Sequence, residues 1–470
     1  MNGYCRQLPL RNKFVGSDGQ SQYRAAMNRL YPDRTYTAAP DAGNFWQSTT
    51  ETPQVPTLAG DLKTEVAIIG AGYTGLNAAL QLAEKHGIKV TVIDAAWPGW
   101  GASGRNGGFV GFGGSKLSDQ KLLSKFGDAE ARKFFATQRA SIETVRENLD
   151  RYAIEADAVG QGEYYLAHRP REFAGMPEEA RFLKDIHGSD VQVLSSDALV
   201  ERGLNSPGFH GGMHVPFGFG INPLKYVLGL SDAAQRLGVD IYGQTKATKI
   251  ERHQGGYRIT TTNGVLQAQK LLIATNGYST DGLPDAINGW FLPILSNILV
   301  TRPLTESERQ DQGWTATDMV ADTRNLLHYI RLLPDGRFLF GMRGGTGFSP
   351  RDEAAMKRRA RKSFETLLPA WADVETPYFW SGLACLSRSL NAYIGPLAGM
   401  ENAYGAMGYH GSGIAMASWA GRSVADIIAG VTQPSALPTN LRQPMKPFPF
   451  PTARRHYLKA AYAWYGVKDR

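Results

Sequence analysis

The residues of this 470-residue chain with the clearest chemical use are three glycines in "VAIIGAGYTGLNAALQLAEKHGIKVTVIDA" (66–95). Gly70, Gly72 and Gly75 form G-x-G-x-x-G after the apolar run Val66 to Ile69 and before a stretch with Leu76, Ala79, Leu80 and Ala83 at helical spacing. Gly70 permits a tight turn, Gly72 lets the backbone approach a pyrophosphate, and Gly75 allows close packing of the helix. The helix then starts at Tyr73 and Thr74 with its positive end toward the phosphate charge. Asp94 ends the next strand, with Ala95 after it, where a carboxylate accepts hydrogen bonds from a ribose. An acid at this point serves NAD(P) and FAD equally.

Two further glycine stretches decide between them. "PGWGASGRNGG" (98–108) follows the ribose-binding strand and places Gly101, Ala102, Ser103, Arg105, Asn106, Gly107 and Gly108 in one loop. So small a loop lies flat against a broad ring, with amides and Arg105 reaching the polar edge. The reading is therefore FAD. "HGSG" (410–413) opens a helix with Ile414, Ala417, Gly421, Val424 and Ile428 at apolar spacing and Gly430 as its stop. Aimed at the N1/C2-carbonyl edge, which gains negative charge on reduction, such a helix start stabilises reduced flavin by about 0.3 to 2 kcal/mol. Gly411, Ser412, Gly413 and Ile414 are the expected contacts.

These segments need a scaffold of alternating elements. Helical spacing covers 116 to 152, strands are predicted at Gly162–His168 and Val191–Ser195, and a Pro-started helix runs from Pro223 to Leu237. "LLHYIRLLPDGRFLFGM" is a hairpin turned at Pro334, Asp335 and Gly336, and a charged helix runs from Arg351 to Leu368. The fold class is α/β plus α+β: a Rossmann-like FAD domain of the glutathione reductase type, interleaved with an antiparallel-sheet substrate domain. The expected boundaries are a lead-in segment at 1–60, the cofactor domain at 61–152, 212–288 and 378–436, the substrate domain at 153–211 and 289–377, and a basic C-terminal tail at 437–470.

The net charge of +8 sits at the two ends; between residues 61 and 436 acids and bases balance. That leaves no broad basic face for nucleic acid, and the tail is expected to pack along its own domain. The longest apolar run, from Trp290, is too short for a membrane span and is broken by Pro293 and Asn297. The first residues lack the apolar core of a secretory signal, so a cytoplasmic location is expected. Cys5 and Cys385 lack metal-ligand spacing, and no metal is expected.

With these motifs in order, the chain resembles the glycine oxidase, sarcosine oxidase and D-amino acid oxidase superfamily of FAD-dependent amine oxidoreductases. "GWGASGRNGG" looks most like the subgroup that includes gamma-glutamylputrescine oxidoreductase, and the resemblance runs from Phe45 to about Gly430. It implies adenine contacts at Ala247 and ADP contacts at Thr275, Asn276 and Gly277. It also implies an amine substrate that passes hydride to the flavin, with O2 or another electron acceptor to reoxidise it. Two departures matter. The loop after the cradle holds no histidine to tether the flavin and Cys385 is poorly placed for it, so FAD is expected to be noncovalent. Ala415 stands where sarcosine-oxidising relatives carry a carboxylate-binding lysine, which favours an amine without an α-carboxylate; Arg331 or Arg388 could replace that anchor. Tyr329, Arg331, Tyr409 and His410 are the candidates to line the substrate pocket, and no general base is assigned. Rival readings are the oxidation of a secondary or cyclic amino acid, flavin-dependent tRNA modification, and a non-catalytic binding protein on the same fold.

Overall fold

The computed structural model describes residues 30–36 and 43–469; Cys5 and most of the lead-in lie outside the described residues. Val66, Ala67, Ile68 and Ile69 end the strand Gly60–Ile69 with four successive apolar residues, so this strand must be covered on both faces. It is accordingly central. Gly264–Ile273 and Val90–Ile93 flank it in parallel, and Ala403–Met407 and Asp240–Tyr242 extend the parallel set outward. Val66 and Ile68 face the helices Tyr73–His86, Pro223–Arg236 and Ile414–Ala429 in one core. Ala67 and Ile69 face a second core shared with the hairpin Ala247–His253 and Gly256–Thr261. This is the expected dinucleotide-binding architecture.

The second sheet has eight strands, in the order Tyr378–Ser387, Phe291–Val300, Phe338–Arg343, His328–Leu332, Met319–Asp322, Glu163–Leu166, Gly212–Val215 and Gln192–Leu194. All neighbours are antiparallel except Met319–Asp322 beside Glu163–Leu166. The predicted hairpin is present, with Gly336 N–H donating to Leu333 O at 3.0 Å. Alternation sorts Glu163–Leu166 by face: Tyr164 and Leu166 enter the core with Phe338, Phe340 and Phe364, which turns Glu163 and Tyr165 the other way. Pairing corrects the expected boundaries in two places. Gly212–Val215 and Tyr378–Ser387, assigned to the cofactor domain from sequence, hydrogen-bond into the second sheet. Each is a short apolar run of the kind that fits either sheet, so only the pairing partner decides.

The basic end of the chain packs along the second sheet. In the helix Arg454–Lys468, Leu458 is buried with Leu292 and Ile294. Arg454 donates to Phe291 O at 2.6 Å and pairs with Asp281, and Asp469 accepts from the Asn325 and Leu326 amides at 2.9 and 2.8 Å. Its charges are thus partly used within the protein. Among the described residues no helix is long and apolar enough to cross a membrane.

The two glycine-started helices pack closely at Gly421. A Cβ at Gly421 would stand 2.4 Å from Thr74 O and 3.0 Å from Ala78 N, both backbone atoms that cannot rotate away. Gly421→Val is therefore expected to destabilise the protein by roughly 1–3 kcal/mol. A lower urea midpoint at unchanged slope would report it.

Candidate cofactor and substrate site

One long cavity runs between the two sheets. Its walls include Asp94, Ala95 and Ala247 at one end, then Gly70, Gly72, Tyr73 and Thr74, then Gly101, Ala102, Ser103, Arg105, Asn106 and Gly107, and finally Gly411 to Ile414. The cradle is shaped by backbone contact. Gly70 has φ of +113°, and a Cβ at Gly75 would lie 1.9 Å from Gly70 O, so the helix enters directly behind the turn. No side chain caps this helix, although Tyr73 N–H is taken by Ser103 Oγ at 3.1 Å. Asp94 accepts from Ala71 N–H at 2.9 Å and Ala96 N–H at 2.8 Å, which fixes its carboxylate at the cavity edge. Burial raises its pKa, opposed by those two hydrogen bonds.

The loop 101–108 is held from behind by its carbonyl groups. Trp46 Nε1 donates to Asn106 O at 2.9 Å, Trp380 Nε1 to Arg105 O at 2.9 Å, and Asn44 Nδ2 to Gly104 O at 3.1 Å. Tyr73 OH donates to Ser103 O at 2.6 Å, and Asn106 Nδ2 braces the loop through Ala102 O and Ser103 O. Asn106 is therefore both part of the wall and a strut within the loop. The aromatic lead-in "NFWQ" earns its place here, because Trp46 and Asn44 are buried against the loop.

Tyr409 and Tyr329 line the cavity as expected from sequence. Tyr409 OH is 2.8 Å from Thr74 Oγ1, and Tyr329 OH is 2.8 Å from Ser296 Oγ. Burial pushes the Tyr329 phenol up to about 12. Five expected site residues do not reach the wall. Gly75 packs on Gly70 behind the turn, Gly277 faces Leu383 and Cys385, and Gly108 faces Ile221 and Arg331. His410 is buried with Nε2 3.3 Å from Ser387 Oγ, and burial pulls its ring down to about 3, so it stays neutral and outside the pocket. Arg331 shares a face with Tyr329 but sits about 7 Å further along the strand. That step carries it behind Gly108, where it donates to Ile221 O at 2.5 Å. Arg388 is exposed and donates to Pro447 O at 3.3 Å. Cys385 does line the cavity, and burial raises its thiol pKa so that it remains protonated.

The far end holds groups that sequence reasoning missed: Lys116, Glu163, Tyr165 and Arg343. Lys116 is fixed by its own N–H on Leu390 O at 2.8 Å. Its side chain is exposed and lines the cavity. Burial and then the like charge of Arg343 pull it down to about 7, while Glu163 acts the other way. Burial pushes Glu163 up to about 7, opposed by the hydrogen bond from Tyr165 OH at 3.0 Å and by Lys116. Arg343 donates to His410 O at 3.2 Å. Period-two alternation in "EYYL" was a usable signal for Glu163 and Tyr165. Nothing local marked Lys116 or Arg343.

A helix start without a side-chain cap, a carboxylate fixed at the cavity edge, and a cavity wall of small residues from Gly101 to Gly107 and from Gly411 to Gly413 fit a dinucleotide with a broad ring. Comparisons agree. The profile of the FAD dependent oxidoreductase family, DAO, matches residues 65–427. A probable oxidoreductase OrdL of Rhizobium meliloti (strain 1021) is 32% identical over 433 residues, covering 91% of this chain and 98% of that protein. The gamma-glutamylputrescine oxidoreductase of Escherichia coli (strain K12) is 29% identical, covering 88% and 95%. The crystal structure of glycine oxidase from Geobacillus kaustophilus superposes with a TM-score of 0.66 at 20% identity, covering 79% of this chain and 96% of that one. With the motifs, the fold and the profile all covering the same residues, this chain is a member of the DAO family of FAD dependent oxidoreductases.

Proposed function

We propose that the protein oxidises a C–N bond of a small-molecule amine, giving an imine that water hydrolyses, with O2 as the terminal acceptor. The observation that carries this reading is the continuity of the cavity: the dinucleotide cradle opens without a barrier into a pocket walled by the second sheet. Relatives named for gamma-glutamylputrescine and glycine support a substrate with a C–N bond. When bound, FAD supplies the acceptor for a hydride from the carbon next to nitrogen.

The chain's own residues would do the rest. Gly70, Gly72, Tyr73 and Thr74 would hold the pyrophosphate, and Asp94 a ribose. Ala247, Thr275 and Asn276 would hold the adenosine half. Loop 101–107 and the Gly411–Ile414 helix start would hold the ring, with backbone dipoles favouring negative charge on its pyrimidine edge. Tyr329, with Ser296 behind it, and Tyr409 would orient the substrate and exclude water. Attachment would be noncovalent, since the loop offers no histidine and burial keeps the Cys385 thiol protonated.

Purified protein is expected to be yellow, and Gly72→Val to lose FAD, because a side chain there already crowds Ser103 Oγ (2.8 Å from a Cβ) before any phosphate is bound; flavin absorbance per protein measures this. Acid precipitation is expected to leave a colourless pellet and release all flavin to the supernatant. Anaerobic mixing with a panel of amines is expected to bleach the flavin band, and admitting O2 to restore it with formation of hydrogen peroxide. Bleaching that only a quinone or electron-transfer protein reverses would make the enzyme a dehydrogenase.

A further inference from the structure

The large apolar side chains left exposed gather near the end of the chain. Among the described residues nine are exposed, and five of them, Phe450, Tyr457, Trp464, Tyr465 and Val467, lie within 450–467. The helix Arg454–Lys468 is therefore apolar on two sides. Leu458 and Tyr462 meet the second sheet, while Tyr457, Ala460, Ala463, Trp464 and Val467 recur at helical spacing along the solvent face. Trp464 and Val467 are 67% and 68% exposed. A surface helix ordinarily turns polar residues outward, so a second apolar stripe marks an interaction surface.

Charge identifies what covers it. The stripe is flanked by exposed Lys459 and Lys468, and the helix holds no acid; Asp469, just after it, is spent on the Asn325 and Leu326 amides. Leu30 packs in one cluster with Leu458, and Arg455 stands over the Tyr31 ring at 5.7 Å. Residues 1–29, which precede that contact, carry five bases and one acid. Arg455 also donates to Thr346 O at 3.1 Å, and Arg359 Nη1 comes within 3.7 Å of where a Cβ would stand on Gly344. Arg359 belongs to the helix Pro350–Leu367, which has six bases against three acids and exposes Arg351, Lys357, Arg358 and Lys362. The basic ends that are far apart in the sequence thus meet beside one apolar stripe, next to a basic helix.

We propose that this surface docks the protein peripherally on an anionic lipid bilayer, with Trp464 and Val467 entering the headgroup layer and Lys459 and Lys468 meeting lipid phosphates. Other occupants match only part of it. A nucleic acid would reward the lysines and leave Ala460, Ala463 and Val467 without partners. A second copy would set two basic surfaces face to face across a two-fold axis. At 15 residues the helix is too short to span a bilayer, so it lies in the interface. The inference stands apart from the reaction proposed above.

The test mixes FAD-loaded enzyme with sucrose-filled vesicles, made of phosphatidylcholine alone or of phosphatidylcholine and phosphatidylglycerol in equal parts, and follows protein into the pellet. Binding to the anionic vesicles is expected to be at least about tenfold tighter than to the neutral ones and to weaken as salt rises. Lys459→Glu with Lys468→Glu, and separately Trp464→Ser with Val467→Ser, should each weaken it about tenfold or more while FAD content and the unfolding midpoint stay as in wild type. The same charge change on the helix Asp119–Phe126, Lys121→Glu with Lys125→Glu, should leave binding within about twofold of wild type. No binding to anionic vesicles, equal binding to both kinds, unchanged binding in both variants of the stripe, or an equal loss in the Lys121 and Lys125 control overturns the proposal. It is overturned equally by tRNA binding tighter than the anionic vesicles, or by a wild-type dimer in sedimentation that Trp464→Ser with Val467→Ser converts to monomer.

Discussion

Backbone-to-backbone contact at three glycines holds the site together. Gly70 turns at positive φ directly after the central strand, Gly75 sits on its carbonyl, and Gly421 lets a second helix touch the first turn of the cradle helix at Thr74 O. Any Cβ at Gly75 or Gly421 would stand within 2.4 Å of a backbone oxygen. Two helix starts are thereby brought to one cavity, so that two positive dipole ends face it. Side-chain packing alone would keep such helices 8–10 Å apart.

The same economy appears in loop 101–108. Its polar backbone could collapse on itself, but Trp46, Trp380, Asn44 and Tyr73 take its carbonyl groups from outside. A loop held by its acceptors keeps its remaining donors and its small side chains toward the cavity. Buried indole N–H groups are suited to this because each must find an acceptor somewhere. The interleaving of the two domains follows, since Trp380 belongs to a strand of the second sheet and Trp46 to the lead-in.

Electrostatics divides the cavity. The ribose end has a carboxylate fixed by two amides, while the far end has two cations and one acid whose carboxyl and amine groups are drawn toward neutrality by burial. A cavity with groups drawn toward neutrality suits the amine oxidation proposed above, which needs a neutral nitrogen. Burial raises the phenol pKa of both Tyr329 and Tyr409, so both stay protonated.

Everything that depends on neighbours in the chain was written in the sequence: the G-x-G-x-x-G turn, the strand and helix on either side of it, Asp94 two elements on, the ring loop after it, and the Gly411–Ile414 helix start. Each is a local pattern of small residues and apolar period, and local sterics read such patterns directly. Contacts between distant segments were decided only by tertiary structure. Gly212–Val215 and Tyr378–Ser387 are apolar runs that either sheet could accept, and pairing alone assigned them. Arg331 and Arg343 are both arginines on adjacent strands of one hairpin, yet register puts Arg343 in the cavity and Arg331 behind Gly108. Lys116 and Glu163, 47 positions apart in the chain, meet across that cavity because a loop from one domain and a strand from the other close it. Such meetings depend on how sheets pack, which no local spacing encodes.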